Sequence, residues 1–129
     1  MTVELHYLAF SILLVFVQLF LAAAGATKAR GLKWNAGARD EATPPLPPVA
    51  GRLDRAFRNV LETFPLFAAA VLLTHAAGVH SALTSFGAGL YFWARVAYVP
   101  LYAFGIPYVR SMVWSAASGG IVLILAALL

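Results

Sequence analysis

The chain has 129 residues, of which 62% are hydrophobic and 11% charged, with a formal net charge of +4 and a mean hydropathy of +0.84. Soluble domains carry about 25% charged and about 45–50% apolar residues, so this composition calls for lipid as the solvent. The absence of cysteine excludes a disulfide framework, a thiolate metal site and a cysteine nucleophile supplied by the protein.

The length fits a single domain, residues 1–129. Long apolar stretches predict transmembrane helices over about 5–27, 51–77, 82–104 and 110–129. Each is close to the roughly 20 helical residues that cross a hydrocarbon core. The expected fold class is all-α, an integral membrane four-helix bundle.

The first stretch ends in small residues, Ala22 to Ala26, as a cleavable leader would. However, Glu4 precedes it with no Lys or Arg, and the apolar run exceeds that of a signal peptide. A retained helix is expected. The connection that follows carries Lys28, Arg30, Lys33, Arg39 and Arg52, whereas Gly78-Val79-His80-Ser81 has no basic residue. Basic loops stay cytoplasmic, which predicts a cytoplasmic first loop and both termini on the opposite side. Basic residues so placed flank a membrane, and no nucleic-acid partner is expected. Pro44-Pro45-Leu46-Pro47-Pro48 predicts a stiff, extended connector.

The second helix places Arg55, Arg58, Asn59 and Glu62 within an arc of about 100°. Arg58 with Glu62, and Arg55 with Asn59, are four apart and can pair. In the third helix, Tyr91, Arg95, Tyr98 and Tyr102 share one stripe, with Pro100 and Pro107 at its end to bend or stop the helix. Arg110-Ser111 opens the fourth helix near the same membrane face, where Lys28 and Arg30 end the first. Ionisable side chains in such helices cost a few kcal/mol each. An internal packing network or an interfacial tyrosine belt accounts for any one of them. The excess of arginine over a single glutamate on that face asks instead for an anionic ligand. Guanidinium forks suit carboxylates, Glu62 an ammonium, and Asn59 and the tyrosines amides, a set that glutathione matches. Nucleotides fit less well without a Gly-rich phosphate loop. His6, His75 and His80 are dispersed, and no metal site is expected.

The string Arg55-Ala56-Phe57-Arg58-Asn59-Val60-Leu61-Glu62-Thr63 resembles the R-A-x-x-N-x-x-E signature of the MAPEG family, the membrane-associated proteins of eicosanoid and glutathione metabolism. Arg95, Tyr98 and Tyr102, followed by Pro107 and Arg110-Ser111, resemble that family's second signature. The resemblance implies a homotrimer of four-helix protomers, with glutathione held as co-substrate between neighbours. It further implies a lipophilic small molecule as second substrate, in a setting of membrane lipid. Carried over, it assigns glutathione contacts to Arg58, Asn59, Glu62, Tyr98 and Tyr102, with Lys28 as the basic side chain ending the first helix. Arg30, Arg55 and Arg95 complete the expected binding set. Arg110 takes the place of the arginine that stabilises the thiolate, with Ser111 beside it. Tyr98 stands where the prostaglandin E synthase branch has histidine, and the run from Tyr102 to Arg110 is one residue shorter than in that branch.

The implied activity is that of a glutathione-dependent membrane enzyme of transferase or peroxidase type. It would activate the thiolate for conjugation to lipophilic electrophiles or for reduction of hydroperoxides. A non-catalytic lipid-binding scaffold would share the fold without the thiol-activating residues. A small four-helix transporter would want a mid-membrane acid in the first helix, where only Gln18 is found.

Overall fold

Apolar stretches of this length satisfy their backbone groups internally only as helices, and the start and stop signals are in the sequence. The computed structural model describes residues 1–129 and contains five helices and no strand: α1 (Val3–Arg30), α2 (Leu32–Ala36), α3 (Pro48–Ala77), α4 (Ala82–Ala103) and α5 (Val109–Leu128). The Thr2 hydroxyl caps α1 by accepting from the Leu5 amide at 3.2 Å, and Ser81 and Thr84 form a reciprocal capping box on α4. Gly78 ends α3 in the left-handed conformation, which costs a residue without Cβ little.

Two features differ from the sequence expectation. The first connection contains the short α2, which places Trp34 beside the end of α1. The proline run does not stop short of the next helix, because Pro48 is itself its first residue. Proline is at no disadvantage there, since a first-turn amide has no partner within the helix. Pro100 lies within the last turn of α4, which ends three residues later at Ala103.

α1, α3 and α5 are long and apolar enough to cross a membrane. α4 has 22 residues but falls short in apolarity, and its burial explains why. Its less apolar residues, including Gly87, Gly89, Tyr91, Arg95 and Tyr98, are turned inward. Phe86 and Trp93 are exposed. Hydropathy counts residues and not the direction they face, so a helix with a polar inner stripe scores low.

At one end of the bundle, the Glu4 carboxylate accepts from the hydroxyls of Thr84 and Ser85 and joins α1 to α4. At the other end, Arg52 donates to the Ala103 carbonyl at 3.3 Å and the Arg110 guanidinium lies 4.5 Å from the centre of the Tyr102 ring. The end of α1, the start of α3, the end of α4 and the start of α5 therefore meet on one side. The core between the ends is built on Phe67 stacked against Tyr91, with ring centroids 4.0 Å apart, among Leu8, Val71, Ile121 and Ile124.

α4 and α5 approach most closely where Gly87 faces Gly120. A Cβ added at Gly120 would stand 2.5 Å from the Gly87 carbonyl oxygen and 2.9 Å from the Tyr91 amide nitrogen, both backbone atoms that cannot step aside. At neighbouring Gly119 an added Cβ would meet nothing within 4 Å. Gly120→Ala should therefore destabilise the protein by about 1–3 kcal/mol. Gly119→Ala should be neutral or stabilise by up to about 1 kcal/mol through helix propensity. Thermal unfolding of both variants in detergent checks this; equal midpoints would contradict the close helix contact.

Candidate functional site

Three residues at four-residue intervals on α3 share one face, and each meets a partner on α4. The Arg55 Nε donates to the Tyr102 hydroxyl at 3.3 Å. The Arg95 Nη1 donates to Asn59 Oδ1 at 2.8 Å. The hydroxyls of Thr63 and Tyr91 are 3.1 Å apart. The polar stripes of the two helices are thus joined within one protomer as a ladder, one rung per turn of α3.

The rungs differ in exposure. Thr63 and Tyr91 are buried, Arg95 retains 1% of its accessible surface, and Arg55 is exposed. Arg95 also lies over the Tyr98 ring, 4.2 Å from its centroid. It has no carboxylate partner, and its Nε and Nη2 are buried without a hydrogen bond. A positive charge with unfilled donors is thus held just behind Asn59 and Tyr98.

These two residues form one wall of an open cleft of about 500 Å³, completed by Tyr102, Arg110, Ser111, Trp114 and Ser115. The Tyr98 and Tyr102 rings lie 5.5 Å apart. The first turn of α5 brings in Arg110 and Ser111 without a side-chain cap on its amides, which adds the positive end of a helix to the same space. The turn into α5 is tight, with Gly105 at φ 68° and Tyr108 at φ 57°. The Arg52 guanidinium packs against Gly105, where an added Cβ would lie 3.0 Å from its Cζ. The cleft contains guanidinium, hydroxyl, amide and indole donors and no acid.

Of the residues singled out in the sequence, the structure gathers Asn59, Tyr98, Tyr102, Arg110 and Ser111 around this cleft. Arg95 and Arg55 stand behind it through their rungs. Arg58 and Arg30 lie elsewhere, on a second cleft of about 420 Å³ bounded by α1, α2 and α3. Arg30 donates to the Pro44 carbonyl at 3.2 Å and packs 4.9 Å from the Trp34 ring centroid. Lys28 and Glu62 are exposed and line neither cleft.

The two pairings expected from the sequence, Arg58 with Glu62 and Arg55 with Asn59, are not the ones formed. Arg58 turns back to Asp54 at 3.0 Å, and Asn59 reaches across to Arg95 in place of Arg55. Sequence reasoning passed over Trp114, Ser115 and Thr63. The first two follow Ser111 by three and four residues, and Thr63 follows Asn59 by four, so the same helical count points to all three.

The bundle, with three membrane-competent helices and its basic cleft at one end, is that of an integral membrane protein. The sequence matches the MAPEG family over residues 7–129, and the chain belongs to that family, whose members include glutathione-dependent enzymes. No curated protein and no solved structure matches it.

The innermost rung lies away from the cleft and should act on stability alone. Tyr91→Phe removes one buried hydroxyl and leaves the Thr63 hydroxyl only its bond to the Val60 carbonyl, so it should cost about 0.5–1.5 kcal/mol. Anion binding at the cleft should not change. Thermal unfolding and titration of the variant with glutathione separate the two effects.

Proposed function

We propose that the α3–α4–α5 cleft binds glutathione and stabilises its thiolate for reaction with a lipophilic partner that arrives from the bilayer. The observation that supports this reading most is an acid-free cleft that combines Arg110 with the uncompensated charge of buried Arg95. Its volume is within the range of about 300–1,000 Å³ usual for small-molecule sites. Guanidinium groups serve the carboxylates, Asn59 and the tyrosines the amides, and exposed Glu62, one turn from Asn59, the ammonium.

In this reading Arg110 and the uncapped start of α5 face the sulfur. A free thiol has a pKa of about 8.5, and lowering it by about two units requires about 2.7 kcal/mol of added thiolate stabilisation. One guanidinium in a partly dehydrated site supplies an interaction of that size. The sulfur then forms a bond to an electrophilic carbon as that carbon's leaving group departs or its π bond opens. With a hydroperoxide it attacks the terminal oxygen and breaks the O–O bond; the alkoxide takes a proton and leaves as the alcohol, and a second glutathione reduces the resulting sulfenic acid to the disulfide and water. Trp114, which lines the same cleft, offers an apolar surface to such a partner.

The second cleft supports an oligomeric site. Arg58 and Arg30 face away from Arg110 within one protomer, so a ligand that uses both sets lies between copies. We place the chain in a homotrimer of four-helix protomers, with the basic end and first connection cytoplasmic and both termini opposite. A native mass spectrum in mild detergent should show three copies, and a spectrum of monomer alone would remove the shared site.

The central test is Arg110→Ala. Glutathione should still bind within a few-fold, while conjugation of a test electrophile near pH 7 should fall by about 10²-fold. The rate should recover as pH approaches the free thiol's pKa, because the thiolate then forms without help. Ultraviolet thiolate absorbance of bound glutathione reports the same step without knowledge of the second substrate. Equal thiolate signals in wild type and variant would exclude this role for Arg110, and binding with no signal in either would describe a binder and not a transferase.

A further inference from the structure

Arg95 touches two residues of the cleft wall but does not line the cleft itself. It is almost fully buried, and a guanidinium has donors only. Whatever faces it from Asn59 must therefore be the amide oxygen, and the structure shows Oδ1 at 2.8 Å. With the oxygen turned toward Arg95, the NH₂ group is the part of that amide left to serve a ligand. Its neighbour Tyr98 is also constrained, with its ring against the guanidinium on one side and the Tyr102 ring at 5.5 Å.

We infer that Arg95 is a positioning residue, which locks the Asn59 amide so that it can only donate into the cleft and so makes that subsite selective for an acceptor oxygen of the ligand. The inference rests on the reading of the cleft as a ligand site and adds a polarity to one part of it. A carbonyl or carboxylate oxygen is accepted opposite Asn59, and an N–H or ammonium is disfavoured there because the amide turns its donors toward it. A freely rotating asparagine would serve either, at the cost of ordering its amide on each binding event. The lock has a cost of its own, since a buried cation needs compensation. Asn59 and the Tyr98 ring meet only part of that need, and two guanidinium nitrogens remain unfilled.

The test is a double-mutant cycle on glutathione affinity, measured by titration calorimetry in detergent, with Arg95→Met, Asn59→Ala and the combination, alongside Arg95→Gln. Arg95→Met and Asn59→Ala should each weaken binding by about tenfold. Because Arg95 acts through Asn59, the combination should be little worse than either single change. Arg95→Gln is uncharged but can still donate to the Asn59 oxygen, so it should recover most of the affinity. A lost scaffold contact would not be recovered in this way. Additive losses in the cycle, or a glutamine variant as weak as the methionine one, would overturn the inference.

Should Arg95→Met not fold, Asn59→Asp decides. It gives Arg95 a carboxylate partner and keeps the bundle intact, but presents only acceptors to the cleft. Its unfolding midpoint should hold or rise while affinity falls by about 10²-fold, and affinity within a few-fold of wild type would overturn the lock. Wild-type protein that does not bind glutathione at all sinks the proposed function and not this inference. The same cycle read in unfolding midpoints, together with titration by glycine and by methylamine as an acceptor-bearing and a donor-only probe, still tests it. The inference stands if glycine binds more tightly and loses that preference in Arg95→Met, and falls if the two probes bind alike.

Discussion

The ladder between α3 and α4 is the constraint from which the rest of the site follows. An arginine within an apolar bundle is costly unless its donors find partners. The sequence places Asn59 on the facing helix at the height where Arg95 needs an acceptor. Thr63 with Tyr91 below and Arg55 with Tyr102 above repeat the arrangement at successive turns, which fixes rotation and register between the two helices together. Apolar packing alone does this poorly in lipid, where the solvent is as apolar as the side chains. With that register set, Tyr98 and Tyr102 have one place to be, and α5 is brought to them by the glycine contact between Gly87 and Gly120.

The site is assembled by two unlike means. Asn59, Tyr98 and Tyr102 project from long helices that hold each other through hydrogen bonds. Arg110 and Ser111 come from the first turn of α5, held by a five-residue link with Gly105 and Tyr108 at positive φ. Arg52 braces that link from α3 by its contact with Gly105 and its bond to the Ala103 carbonyl. The binding wall is thus part of the bundle's own packing, whereas the group proposed to face the sulfur depends on a short turn.

Class and family were legible in the sequence because both rest on patterns that survive projection onto one dimension: apolar runs of membrane length, and polar residues spaced at helical intervals. The all-helical architecture followed from the first and the MAPEG resemblance from the second. What was not legible is which partner each polar residue takes. Arg58 had Glu62 and Asp54 at equal sequence distance in opposite directions, and spacing alone does not choose between them. Arg95 and Asn59 are 36 residues apart, so their bond appears only once the two helices are placed. The division of the arginines between two clefts was hidden for the same reason. Successive positions such as Arg58 and Asn59 lie close in an arc yet look into different spaces, one toward α1 and one toward α5.

The concentration of basic side chains at one end of the bundle, from Lys28 to Arg58 and again at Arg110, has a consequence for the protein's lifetime in the bilayer. Turning the molecule over would draw this whole group through hydrocarbon. A transmembrane voltage adds about 2.3 kcal/mol for each charge moved against 100 mV. The opposite end offers no Lys or Arg to balance the exchange. Spontaneous inversion after insertion is therefore strongly disfavoured, and orientation is a property the chain acquires as it enters the bilayer.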